Sequence, residues 1–145
     1  RLQERIRGES KQAAREGQEH AVLAARTLVE EKSGALVIVG EIPAGTDRNA
    51  LLAALDTVRG NSPDSAILLA SRDMEEGKVS IVASVPKPLV DRGLKAGDWV
   101  RAASQACGGK GGGRPDAAQG GGTEPDNLDE ALDVAHQTAT ALLGG

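Results

Sequence analysis

Eight of the chain's 19 glycines fall in one run, GGKGGGRPDAAQGGG, from Gly108 to Gly122. Glycine makes up 19 of 145 residues, well above the average usage of about 7%. A backbone without Cβ atoms takes positive φ freely and lets other chains or ligands approach closely. Glycine-rich stretches are usually flexible linkers. A linker, however, has no need of Lys110, Arg114, Pro115, Asp116 and Gln119, which interrupt this run. The alternative is an anion site, in which backbone N–H groups form a nest and Lys110 and Arg114 add charge. Composition leaves both readings open.

Known nucleotide loops do not fit. A Walker loop needs Ser or Thr after Gly-Lys, whereas Gly109-Lys110 is followed by Gly111. GxGxxG is also missing, because Arg114 and Asp116 stand where its last glycine would fall. Both motifs follow a strand, and this run follows a segment with helical spacing. ATP or NAD binding by this segment is not expected.

The rest of the chain reads as alternating helices and strands. Residues 1–33 predict one polar helix, with Ala21, Val22, Ala25, Leu28 and Val29 as a docking stripe and Gly34 as its stop. The charged start RLQERIRGES has no apolar core of a signal peptide, and the segment reads as the end of a longer helical region. Ala35 to Val39 is a short β-branched run, as in a buried strand. Pro43 to Gly45 break it. Asp47 then caps a helix carrying Leu51, Leu52, Leu55 and Val58, which Gly60 closes. Ala66–Ala70 and Val79–Val85 predict two strands joined at Glu75-Glu76-Gly77 as an antiparallel hairpin. Pro86 and Pro88 end the second strand. A short turn or helix follows over Leu89–Gly93, and then a helix that opens near Gly97. Trp99, Ala103 and Ala106 form the apolar stripe of that helix. After the glycine loop, Asp126 caps a last helix whose stripe is Leu128, Leu132, Ala135, Ala139 and Leu142. The expected fold is α/β (α+β): a small mixed sheet covered by helices and preceded by a long N-terminal helix.

Charge and composition narrow the function classes. The net charge of −4 is uneven: residues 124–145 hold five acids and no Lys or Arg. Residues 87–114 instead carry six basic groups against Asp91 and Asp98, a local +4, the one electrostatic hint of an anionic partner. Trp99 is the sole aromatic, which argues against readers that stack bases on aromatic platforms. One cysteine, Cys107, builds no disulfide framework and fits a reducing, cytoplasmic setting. No apolar run is long enough for a membrane span. His20 and His136 stand on separate helices without partners at ligand spacing, so no metal is expected. Trp99 and Cys107 read as core. Glu75 and Glu76 read as a solvated turn. No nucleophile–base pair or paired carboxylates emerge, and the chain by itself is expected to lack catalytic activity.

The stretch GKVSIVASVPKPLVDRGLKAGDWVRAASQACGGKGGGRPDAAQGGG, from Gly77 to Gly122, resembles the C-terminal, DHH-associated domain of alanyl-tRNA synthetases of the bacterial type. The likeness covers about Ala35 to Leu143, and GGKGGGRPDxAQxGG is its most specific part. It implies a domain over residues 35–145 with its glycine-rich loop at 108–122. Residues 1–34 would be the end of a helical linker or dimerisation subdomain. It also implies contact with the elbow of tRNA(Ala) and coordination of aminoacylation with editing. RNA or anion contact would fall to Lys110, Gly111, Gly112, Gly113, Arg114 and Gln119, with Pro115 and Asp116 orienting the loop. Asp116 would do so through Arg114 or by capping the turn, while Gln119 would bond RNA or the loop itself. Ala117 and Gly120 stand where the family often has Met and Ala. The implied partners are tRNA(Ala), the other synthetase domains and a second copy through residues 1–33. ATP, magnesium and an editing-domain zinc would belong elsewhere in the parent enzyme. Two other readings remain: a structural module without RNA contact, and the substrate-binding half of a DHH phosphodiesterase. The latter family ends its glycine run with His where this chain has Arg114, and it needs a DHH metal domain not found in these residues.

Overall fold

The computed structural model describes residues 20–31, 35–42 and 48–143. Residues 20–31 are helical (α1). The elements β1 (Val37–Glu41), α2 (Arg48–Asn61), β2 (Ala66–Asp73), β3 (Lys78–Ser84) and α3 (Lys87–Asp91) follow. The chain continues through α4 (Ala96–Ala106), β4 (Lys110–Gly113), β5 (Ala117–Gly122) and α5 (Leu128–Leu143). The first 19 residues of the expected N-terminal helix, its Gly34 stop, the break at Pro43 to Gly45 and the Asp47 cap lie outside the described residues.

The strands form one mixed sheet in the order β1-β2-β3-β5-β4. β1 and β2 are parallel, joined through α2, and the remaining neighbours are antiparallel. The side-chain period of two separates two cores. Leu68, Ala70, Val79, Ile81 and Ala83 face α4 and α5, together with Trp99, Val100 and Leu128. Ile38, Ile67, Leu69 and Val82 face the other way, toward Ala21 and Ala25 of α1 and Leu51, Leu55 and Val58 of α2. Trp99 is fully buried, and its Nε1–H donates to Ala135 O at 2.7 Å, which ties α4 to α5. Arg72 pins the sheet to α5. Its guanidinium donates to both carboxylate oxygens of Glu41 and to Asp129, at 2.7–3.0 Å. The Glu41 bonds raise its affinity for the proton above the ordinary arginine value.

Several local expectations need correction. β1 begins two residues later than expected, and β2 runs on to Asp73. Gly60 does not close α2. The helix continues to Asn61, whose amide donates to Thr57 O, and Ser62 N still bonds to Val58 O before Pro63 ends it. Asp126 sits inside a 3₁₀ turn, Pro125–Asn127, held by Asn127 N bonding to Glu124 O, so α5 starts only at Leu128. Leu142 is exposed, and Leu143 is buried in its place. The buried line steps by fours through Ala131, Ala135, Ala139 and Leu143, where Arg92 holds the last turn through Leu143 O.

Candidate functional site

The largest correction concerns the glycine run. It is a β-hairpin built of β4 and β5, and the loop proper is only Pro115-Asp116, between the paired residues Arg114 and Ala117. Arg114 N donates to Ala117 O at 2.8 Å. The backbone N–H groups that face the partner strand therefore serve a sheet ladder, and the extended strands do not curl into a nest.

The glycines make this possible by letting α4 lie directly on the strands. A Cβ on Gly111 would stand 2.6 Å from Val100 Cγ1 and 2.7 Å from Ser104 Oγ. On Gly120 it would stand 2.6 Å from Val100 Cγ1 and 2.8 Å from Gly111 Cα. Gly97, on α4, would meet Gly113 O at 2.9 Å. Gly109, Gly121 and Gly122 are likewise blocked, by Gly121 O, Val79 O and Cys107 O. These residues close the hairpin and seat the helix. Any larger side chain would push the two apart.

Because residues alternate along a strand, the opposite face carries a different set. Lys110, Gly112 and Arg114 share that face of β4, and Ala117, Gln119 and Gly121 share it on β5. The register aligns them in rows: Lys110 with Gly121 and Ser80, Gly112 with Gln119 and Val82, and Arg114 opposite Ala117 and then Ser84. α2 packs chiefly over β2 and β3, and no helix of the described residues packs closely over this face of β5 and β4. A groove of about 440 Å³ runs there, with Leu52 and Leu55 of α2 as one wall and Gly112, Arg114, Ala117 and Gln119 as floor and end.

Of the expected site residues, the structure groups Lys110, Gly112, Arg114 and Gln119 on the open face and turns Gly111 and Gly113 toward α4. Lys110 and Arg114 are exposed and enter no ion pair among the described residues. Asp116 likewise makes no ion pair with Arg114. The loop is tied by its backbone, with Pro115 O accepting from Ala96 N at 2.8 Å and Asp116 O from Val85 N at 2.9 Å. Leu52 and Leu55 were not among the expected site residues. The available signal was that the apolar face of α2 is wider than its buried line, since Leu52 is only half-buried.

The other candidates lie apart. Cys107 is buried beneath Gly122, and burial raises its thiol pKa. His20 and His136 are exposed. Among the described residues no group of His, Cys, Asp or Glu is placed to hold a metal ion. Glu75 and Glu76 are exposed in the β2–β3 turn, where their N–H groups bond to Asp73 Oδ1 at 3.0 Å. No helix of the described residues is long and apolar enough to cross a membrane.

This combination of sheet, helices and glycine hairpin defines a family. Residues 34–141 match the DHHA1 domain, and the chain belongs to that family. Its relatives are alanine–tRNA ligases. It is 41% identical over 119 residues to the cytoplasmic alanine–tRNA ligase of Drosophila melanogaster, covering 82% of this chain and 12% of that protein. It is 46% identical over 109 residues to the alanine–tRNA ligase of Rhodopirellula baltica, covering 75% of this chain and 11% of that protein. The chain thus spans about one eighth of the length of these relatives. Its structure resembles the crystal structure of the C-Ala domain of Aquifex aeolicus alanyl-tRNA synthetase. The TM-score is 0.57 at 29% identity, covering 75% of this chain and 89% of that one. The chain is homologous to the C-terminal domain of alanyl-tRNA synthetase.

Proposed function

We propose that this domain is the tRNA-binding module of an alanine–tRNA ligase and that it binds through the open face of the glycine hairpin. The observation that carries the reading is the pair of exposed cations, Lys110 and Arg114, unpaired among the described residues and set on a sheet face over which no described helix packs closely. Four residues of strand put their Cα atoms about 13 Å apart. Two such charges can engage separate phosphates along a nucleic-acid backbone. Gln119 between them adds a polar side chain without aromatic stacking, a mode suited to recognising RNA by shape and phosphate position.

Charge elsewhere favours the same orientation. α5 covers the opposite face and carries Asp129, Glu130 and Asp133, all exposed. Lys87 of α3, Arg101 of α4 and Lys95 in the turn between them also lie on that side, so the repulsion of RNA is confined to the α5 surface, and the hairpin face attracts it. In this reading the domain performs no chemistry. It holds the tRNA elbow, raises the effective concentration of the same molecule at the aminoacylation and editing sites, and so couples them. ATP, magnesium and zinc belong to those other domains, and the setting is the cytoplasm. The test is tRNA(Ala) binding by the 145-residue chain and by its Lys110→Ala/Arg114→Ala variant. The variant is expected to bind at least tenfold more weakly, and equal affinities would remove the hairpin from the site.

A further inference from the structure

We infer that Gly112 is a binding glycine: its missing side chain keeps the floor of the groove beside α2 low enough for RNA to lie against the strand backbone. This inference rests on the tRNA-binding reading and goes beyond it by separating one hairpin glycine from the other seven.

The separation comes from what a Cβ would meet at each position. Gly109, Gly111, Gly113, Gly120, Gly121 and Gly122 are blocked by atoms of the protein itself. Gly108 has a φ of 74°, and its Cβ would meet the Glu124 side chain. Each of these seven therefore has a reason that lies within the fold. Gly112 has none: a Cβ there meets nothing within 4 Å, and its φ is not positive. Strand interiors disfavour glycine, which loses more backbone entropy than other residues and packs nothing. A β-branched residue at Gly112 would suit the strand better, so the fold alone does not call for glycine at this position.

The position itself indicates what the bare backbone serves. Gly112 lies midway between Lys110 and Arg114 on the open face, with Gln119 beside it in the register. It lines the groove whose far wall is Leu52 and Leu55. Phosphates drawn to the two cations bring the intervening part of the RNA down onto Gly112. A side chain there would hold the strand of RNA several ångströms off the floor and prevent both cations from being engaged together. Leu52, half-buried at the rim, offers an apolar surface to a ribose or a base face that enters the groove. The two cations supply attraction, and Gly112 supplies access.

The test compares binding of transcribed tRNA(Ala) by the 145-residue chain and its Gly112→Val, Ala117→Leu and Lys110→Ala/Arg114→Ala variants, with thermal melts of each. Gly112→Val is expected to melt at or above the parent temperature and to bind at least tenfold more weakly. Ala117→Leu, which fills the same groove from exposed β5, is expected to weaken binding in the same direction. Parent-like affinity in both groove variants, with the cation variant weakened, overturns the role of Gly112 and leaves the binding face standing. Parent-like affinity in the cation variant overturns the binding face, and Gly112 with it. A large fall in melting temperature for Gly112→Val contradicts the open space around Gly112 and overturns the inference on that ground.

Discussion

Replacing Gly120 with alanine tests how closely α4 is seated on the glycine hairpin. The added Cβ would lie 2.6 Å from Val100 Cγ1, 2.8 Å from Gly111 Cα and nearer still to Ser104 Oγ, where ordinary contacts fall at 3.4–4 Å. The mismatch is about 1 Å against side chain and backbone together. α4 has little room to retreat, since Trp99 is buried and bonded to Ala135 O, and Gly97 already rests against Gly113. Overpacking of this kind costs about 1–3 kcal/mol, offset by about 0.4–1 kcal/mol from a stiffer unfolded chain. The net expectation is a loss of about 1.3 kcal/mol, or roughly 3–5 °C in Tm for a domain of this size. Urea and thermal unfolding followed by circular dichroism would measure it. Gly60→Ala is the control. A Cβ there meets nothing within 4 Å, the residue lies inside α2, and the exchange should stabilise by about 0.5–1 kcal/mol. If Gly120→Ala unfolds within about 0.5 kcal/mol of the parent, the hairpin glycines are not packing residues and the division between the two faces fails.

Two further outcomes follow from the same interface. Ser104 Oγ is buried without a hydrogen-bond partner among the described residues. Ser104→Ala removes a desolvated hydroxyl and improves helix propensity, so stability should rise by about 1 kcal/mol in urea unfolding. A loss of that size instead would mean that the hydroxyl is bonded. Burial keeps the Cys107 thiol protonated beyond its ordinary range, so it should react with a thiol reagent at pH 8 only as fast as the domain opens. Because the folded thiol holds its proton more tightly than the unfolded one, this group's contribution to stability is present below the unfolded pKa. It declines as pH rises through and above that value. Immediate labelling of the native chain would contradict the burial.

The parts of the fold legible in the sequence are those where side chains carry the pattern. Alternation from Val79 to Val85 and the β-branched run near Val37 marked strands, and Trp99 with Ala103 marked the buried face of α4. The antiparallel β2–β3 pair is present with Asp73 opposite Lys78 at its turn. The glycine hairpin was read as a loop because residue preferences count glycine against strands, while here the decisive contacts are with α4, far from any local pattern. Its strand character was written only in the alternation of Lys110, Gly112 and Arg114. The position of Leu52 beside the groove was hidden for a similar reason. Helical spacing places it on the apolar face of α2, and only the sheet order shows that β5 and β4 continue beyond the helix. Leu142 and Leu143 could not be separated by periodicity, because the choice depends on where Arg92 meets the end of α5.

The open face also accounts for how one short motif serves two ends. Along β4, odd positions are bare so that a helix can pack, and even positions carry charge around a bare centre. The sharpest test of this arrangement is the salt dependence of tRNA(Ala) binding. Each phosphate neutralised contributes about 0.7–0.9 to the slope of log K against log salt. Removing Lys110 and Arg114 together should lower the magnitude of that slope by about 1.4–1.8, which corresponds to roughly 25- to 60-fold in affinity at 0.1 M salt. Removing two exposed cations from the helices on the opposite face, Lys87 of α3 and Arg101 of α4, should leave the slope within about 0.3 of the parent. A slope unchanged in the Lys110→Ala/Arg114→Ala variant, or lowered equally in both variants, would contradict an RNA site on the glycine hairpin.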